Sequence, residues 1–162
     1  MESQKLKHVE ENLTTILLIL CENQNFLRYI KYLDDDPLSL IKPDIGVGDV
    51  FGNNLNITPF DDEVTVEDEV KVFINPLQGN LDRYPVAEDV YSIDIIVPIA
   101  NWLLSGKIRP FRIANEICKT IDGQYITGIY RTEITYFKVS KVNSTLSCLT
   151  LFLKINNVTI KS

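Results

Sequence analysis

The run from Tyr91 to Ile155 changes its hydrophobic period twice, and few architectures accommodate such a chain. In Tyr91-Ser-Ile-Asp-Ile-Ile-Val-Pro-Ile99 the residues Tyr91, Ile93, Ile95, Val97 and Ile99 fall on one face, the two-residue period of a half-buried strand. Arg109 to Gly123 then takes helical spacing, with Phe111, Ala114, Ile117, Cys118 and Ile121 on one side. Pro110 suits the first turn of that helix and Gly123 the position just past its end. From Ile126 to Val139 the spacing predicts a long strand with Ile126, Tyr130, Ile134 and Tyr136 on one face. A turn at Ser140–Ser144 leads to a last strand, in which Leu149, Leu151, Leu153 and Ile155 alternate with Cys148, Thr150, Phe152 and Lys154.

Upstream, Val9, Leu13, Ile16, Leu17, Leu20, Leu27 and Ile30 recur at three- and four-residue steps, so residues 1–33 read as one long amphipathic helix or two abutting ones. Asp34-Asp-Asp-Pro37 ends it, because a proline disfavours helical geometry at the residue before it. Residues 38–68 form an irregular excursion punctuated by Pro43, Gly46, Gly48 and Gly52, with a small hairpin expected between Asp49–Phe51 and Leu55–Thr58. A strand from Glu69 to Ile74 and a connection from Asn75 to Pro85 complete the pattern. The expected fold class is α+β: a long N-terminal helix, a mostly antiparallel four-stranded core sheet, and a second short helix packed on it. At 162 residues the chain fits one domain, 1–162, with its core in residues 69–158.

Charge is unevenly placed. Residues 34–69 carry eleven acidic groups against Lys42, whereas residues 107–162 carry nine basic groups against three acidic ones. A chain whose net charge is −6 and whose acids cluster in this way is a poor general binder of nucleic acid, which needs grouped Lys and Arg for phosphates. No run of about 18 apolar residues and no secretion signal is legible, so a soluble intracellular protein is expected. Cys21, Cys118 and Cys148 are few, distant and set in apolar runs, which favours buried thiols over disulfide or zinc ligands.

Catalytic patterns are sparse. Pro43-Asp44 followed by Glu69-Val-Lys71 spells a nuclease-like arrangement in which Asp44 and Glu69 would hold magnesium and Lys71 would stabilise charge at the phosphate. It lies in the most acidic part of the chain, without a basic groove beside it. Asp94 sits inside an apolar strand, where it is expected to pair with Arg112 or Arg131 rather than a metal. His8 is the single histidine, and no phosphate-binding glycine loop is present, so neither nucleophilic catalysis nor a nucleotide site has support and no cofactor is expected. The run Asp61, Asp62, Glu63, Glu67, Asp68, Glu69 is either a solvated loop or an acidic docking surface. Lys107, Arg109 and Arg112 form the matching basic cluster, and a chain acidic in one part and basic in another can associate head to tail into a ring.

The order of elements, together with Tyr91–Ile99, Trp102, the helix opening Arg109-Pro-Phe-Arg-Ile-Ala and Gly123-Gln-Tyr-Ile-Thr-Gly128, resembles the tail-terminator and neck proteins of tailed phages. Asn23–Leu33 is similar to the start of uncharacterised phage structural proteins. The resemblance implies a non-enzymatic virion subunit that forms a homo-oligomeric ring, usually a hexamer. Such a ring caps the tail tube, meets the head-completion or connector proteins, lets DNA pass only through its lumen and touches no membrane. A magnesium-dependent nuclease using Asp44, Glu69 and Lys71 is the alternative expectation, and an acidic DNA-mimic inhibitor is a second one.

Overall fold

The computed structural model describes residues 6–59, 68–79, 86–127 and 130–158. Helices α1 (Lys7–Glu22) and α2 (Gln24–Lys31) open the chain, followed by a single turn, α3 (Val47–Val50). Strands β1 (Leu55–Asn56), β2 (Lys71–Gln78) and β3 (Val86–Pro98) come next. A short ribbon, β4 (Leu103–Leu104) and β5 (Lys107–Ile108), then leads into α4 (Arg109–Ile121). The chain ends in β6 (Tyr125–Thr127), β7 (Tyr130–Lys141) and β8 (Leu146–Val158). The expected α+β class holds. The sheet has six strands in the order β1-β2-β3-β8-β7-β6, with β2, β3, β8 and β7 as its long antiparallel centre and β1 added in parallel to β2.

Helices lie on one face of this sheet and make the main core with it. Ile16 and Leu20 of α1, Phe26, Leu27 and Ile30 of α2, and Ile113, Ile117 and Ile121 of α4 are all buried. Opposite them, Tyr91, Ile93, Ile95 and Val97 meet Leu149, Leu151, Leu153 and Ile155, the periodic residues of both central strands. Full burial of each such side chain contributes roughly 1.5–3 kcal/mol. The other sheet face is not uniformly polar: Phe73, Ile96, Leu146 and Cys148 make a second small cluster there. Among the described residues no helix is long and apolar enough to cross a membrane.

The N-terminal helix is two helices because Asn23 interrupts it. Its backbone is extended (φ −87°, ψ 98°), and its Oδ1 accepts the free Phe26 N–H at 3.0 Å, capping α2. The amide nitrogen of the same side chain donates to Glu116 Oε2 at 3.1 Å and Thr120 Oγ1 at 2.9 Å on α4. One residue thus breaks the first helix, starts the second and ties it to a third.

Several expected boundaries move. The hairpin between Asp49–Phe51 and Leu55–Thr58 is instead a helical turn followed by a strand, because Asp49 Oδ2 accepts from Gly46 N at 2.8 Å and Gly52 turns the chain with φ +81°. Asn54 then donates to Ile30 O and Val70 O, seating β1 beside β2. Strand β2 starts at Lys71 and runs past Ile74 to Gln78, through a register shift after Pro76, so the connection expected from Asn75 begins later. Ile99 leaves the strand for a 3-10 turn, where it is exposed. The single strand Ile126–Val139 is two, β6 and β7. A bulge between Ile134 and Tyr136 also moves Tyr136 to the opposite face from Ile134. Phe111 faces outward and Ile113 takes the buried place on α4.

Arg109, the first residue of α4, is fully buried. Its guanidinium donates to Asn101 O (2.9 Å), Tyr29 O (3.1 Å), Tyr32 O (2.7 Å), Leu33 O (2.8 Å) and Asp34 O (2.8 Å), using all five N–H groups. Four of these acceptors lie in the last turn of α2 and the residues after it, where carbonyls lack helical partners and the helix dipole is negative. Arg109→Met is expected to lower the unfolding free energy by roughly 3–5 kcal/mol, since it removes one partner of a buried polar network and strands the carbonyls. Arg109→Lys, with three donors and no fork, should recover little of it. Urea unfolding measures both, and a loss under about 1 kcal/mol for the methionine variant would mean that water replaces the guanidinium.

Candidate functional site

Two edges of the sheet differ sharply in what they expose. The first is the outer half of β7. Strand β6 pairs with β7 only at Tyr125↔Arg131 and Thr127↔Tyr130. Thr132 still exchanges bonds with the β6 side, through Thr132 N to Gln124 O and Gly123 N to Thr132 O, and Asp122 Oδ1 accepts from Ile134 N at 2.8 Å. Among the described residues no strand lies outside β7 from Tyr136 to Lys141, which leaves its outward backbone groups open.

The side chains along this stretch combine exposed lysines with exposed apolar groups. Phe137 is 58% exposed and Val139 45%, and Phe111 of α4 stands edge-on to Phe137 with ring centroids 5.9 Å apart. Because Phe137 pairs with Leu151 and Val139 with Leu149, both belong to the helix-covered face. Tyr136 stacks on Phe152 at 4.2 Å on the other face. Lys138 and Lys141, both exposed, frame the stretch, and exposed Arg112 follows Phe111 on α4. The result is an open, apolar, basic edge.

The opposite edge carries the acids. Around β1, Val47 and Phe51 are exposed, Asp49, Asp68 and Glu69 are exposed, and Glu69 lies 3.8 Å from Lys71 Nζ. Val50 between them packs into the helix-face core, so α3 stands on the same side of the sheet as Phe137 and Val139. Asp61, Asp62, Glu63 and Glu67 lie outside the described residues.

Other expected site residues disperse. Lys107 and Arg112 are exposed, but Arg109 does not join them as a surface cation: its guanidinium is buried and bonded to backbone carbonyls. Asp44 pairs with Arg28 Nη2 at 2.8 Å in the loop after α2, while Glu69 and Lys71 sit at the start of β2. Arg28 also donates to Ser39 O and Lys42 O, so this ion pair clamps the acidic loop to α2. Among the described residues no three His, Cys, Asp or Glu side chains gather to hold a metal ion. All three thiols are free, Cys148 is buried, and burial raises its pKa to about 11.

A cavity of about 480 Å³ opens between α1 and the end of β2, lined by Leu6, Val9, Leu13, Leu77 and Tyr91. Asn12 donates to the Tyr91 hydroxyl at 3.1 Å, and burial pushes that phenol up to about 12, so it stays protonated. Nearby, His8 Nε2 stands 2.8 Å from Asp89 Oδ2 and pins the first turn of α1 to β3. The slot offers shape for an apolar group and no convergent reactive set.

Asp94 also departs from expectation. It pairs with neither Arg112 nor Arg131; it accepts from Thr150 Oγ1 at 2.6 Å and Asn75 Nδ2 at 3.2 Å on the neighbouring strands. Both arginines are elsewhere because Asp94 points to the sheet face opposite α4, and Arg131 lies six rows along the sheet from the row that Asp94 shares with Thr150 and Lys138. Desolvation raises the Asp94 pKa, and the two hydrogen bonds only partly offset that. A carboxyl whose pKa is raised on folding stabilises the fold most below its unfolded value and loses this as pH rises through its folded value. Asp94→Asn should therefore become more favourable relative to wild type from just above the ordinary carboxylate range (about 3.9) upward. Urea unfolding of both proteins at acidic and at mildly alkaline pH tests this, and a difference that does not change with pH would contradict it.

Residues 23–155, from the cap of α2 to Ile155 in β8, match the YomW family. No curated protein matches the chain. The match covers most of the molecule, including α2, α4 and the long strands of the sheet; the chain belongs to the YomW family, a phage-derived family of the SPbeta prophage type.

Proposed function

We propose that this protein is a structural, non-enzymatic subunit of a phage neck or tail terminus. Copies form a ring, with six members in the usual arrangement, that caps the tail tube and meets the proteins completing the head. DNA passes only through its lumen, and the acidic segment 61–69 lines that lumen or a docking surface. One observation carries the reading: among the described residues no strand lies outside Tyr136–Lys141 of β7, and Phe137 and Val139 stand exposed there beside Lys138 and Lys141. A soluble monomer normally blunts such an edge with charge, proline or a covering loop, because it templates pairing with another chain. Exposed apolar groups kept between the lysines of such an edge are consistent with a subunit built to assemble, and membership of a phage-derived family supports the setting.

Separated charge supports the same reading. Exposed Asp49, Asp68 and Glu69 lie at one edge of the sheet and Lys138 and Lys141 lie at the other, which favours head-to-tail contacts over self-complementary ones. Particles purified from the phage or induced prophage that encodes the chain should contain it, in several copies per particle by quantitative mass spectrometry. A phage lacking it should accumulate unjoined heads and tails. Absence from purified particles, with the protein abundant in the producing cells, would refute a virion role.

A further inference from the structure

The unpaired part of β7 presents a defined set of backbone groups. Val142 N donates to Leu146 O at 3.1 Å where the hairpin closes on β8. Bonding direction alternates along a strand, so Ser140 and Lys138 also bond inward, and Phe137, Val139 and Lys141 turn their N–H and C=O groups outward. Nearer β6 the outward groups belong to Thr132 and Ile134, and the bulge between Ile134 and Tyr136 moves them to the odd-numbered residues. Three alternate residues thus offer donors and acceptors at one edge, the arrangement on which an extended segment adds as a further strand.

The side chains around these groups select what that segment carries. Phe137 and Val139, with Phe111 of α4 against Phe137, are apolar and exposed on the helix-bearing face. Lys138 on the other face, Lys141 at the end of the strand and Arg112 on α4 are exposed, and none of them enters an ion pair among the described residues. The complement is an extended segment with apolar groups on one face and carboxylates around them. Residues 62–68 of this chain read Asp-Glu-Val-Thr-Val-Glu-Asp, in which Val64 and Val66 share one face of an extended chain and Glu63, Thr65 and Glu67 the other.

That segment cannot reach the β7 edge of its own molecule. It is tethered between Ile57 and Val70, which pack into the core beside β1. The chain between these two residues extends at most roughly 45 Å. Passing outside β7 and returning across β8, β3 and β2 uses roughly 43 Å at ~4.8 Å per strand, which leaves no chain for the paired stretch. Any such contact joins two molecules.

We propose, resting on the assembly reading above, that Tyr136–Lys141 of β7 receives the acidic segment 62–68 of a second copy as an added strand. Val64 and Val66 cover Phe137 and Val139 on the helix-bearing face. Glu63 and Glu67 meet Lys138 on the other face, and Asp62 and Asp68 meet Lys141 and Arg112. The donated segment springs from the edge of the sheet opposite to the receiving one, so the contact is head to tail. Main-chain bonds supply its affinity, and the alternation of apolar and acidic side chains its specificity.

Three sets of variants separate strand addition from charge attraction alone. Lys138→Glu with Lys141→Glu on one protein, and Glu63→Lys with Glu67→Lys on another, should each weaken self-association at least ~tenfold, and the two mixed in equal amounts should associate within about threefold of wild type. Val139→Pro removes one outward N–H while leaving the bonds to β8, and should weaken association by at least ~tenfold as well. Sedimentation velocity reads the association, and unchanged circular dichroism and thermal midpoints show that the variants fold. Unaltered association of any variant, or no recovery on mixing, overturns the proposal. Where the wild type is monomeric in solution, purified particles decide: carbodiimide joins amines to carboxylates in contact, and mass spectrometry of the digest should find Lys138 or Lys141 linked to acids of residues 61–69. Particles in which those lysines link to another virion protein, or to nothing, overturn the contact and leave the virion role standing.

Discussion

A single buried cation sets the arrangement of the helical layer. The Arg109 guanidinium sits where α2 ends and α4 begins, and its five N–H groups are shared among carbonyls from both sides. Unpaired, that charge would be prohibitively costly to bury, and without it the end of α2 would hold a row of carbonyls away from water. Burial lowers the Arg109 pKa, while the charges of Asp34 and Asp35 act against that shift. Given this joint, the acidic loop after α2 has one place to go. Gln24 and Arg28 then hold it down through Ile45, Ser39, Lys42 and Asp44, so the segment 39–45 is hung from α2.

Much of the frame was legible because it obeys simple periods. The alternation of Tyr91 to Val97 and of Leu149 to Ile155 named the two central strands and their buried face, and Pro110 with Gly123 bracketed α4 to within a residue. What failed to show did so for local reasons. One bulged residue near Thr135 reverses the phase of β7, so a strict alternation read through it puts Tyr136 with the core and leaves Phe137 and Val139 unremarked. The helical turn at Val47–Val50 depends on a side-chain to backbone bond from Asp49, which no hydrophobic pattern reports.

The candidate surface was legible in charge and illegible in shape. Counting acids and bases located an acidic middle and a basic C-terminal part, but counted Arg109 among the surface cations, because a sequence shows charge without showing which charge is paired with backbone. Phe111 was assigned to the core for the related reason that a helix of mixed faces permits two registers, and only contact with the sheet chooses Ile113. The exposed aromatics are the signal that could have been found: a strand reading Tyr-Phe-Lys-Val-Ser-Lys carries more apolar bulk than a solvated edge needs.

The position of β8 has a consequence for how the chain comes to be folded. It is the last strand of the described chain, yet it lies in the middle of the sheet, paired with β3 along thirteen residues and with β7 along most of its length. During synthesis β2 and β3 emerge long before their central neighbour exists, and β3 waits with one edge bare. The hairpin of β7 and β8 can close locally, but joining it to β3 requires a loop spanning the whole of α4, which makes this a slow, late step. Until that step the nascent chain offers a hydrophobic strand edge of its own making, wider than the one the finished fold retains.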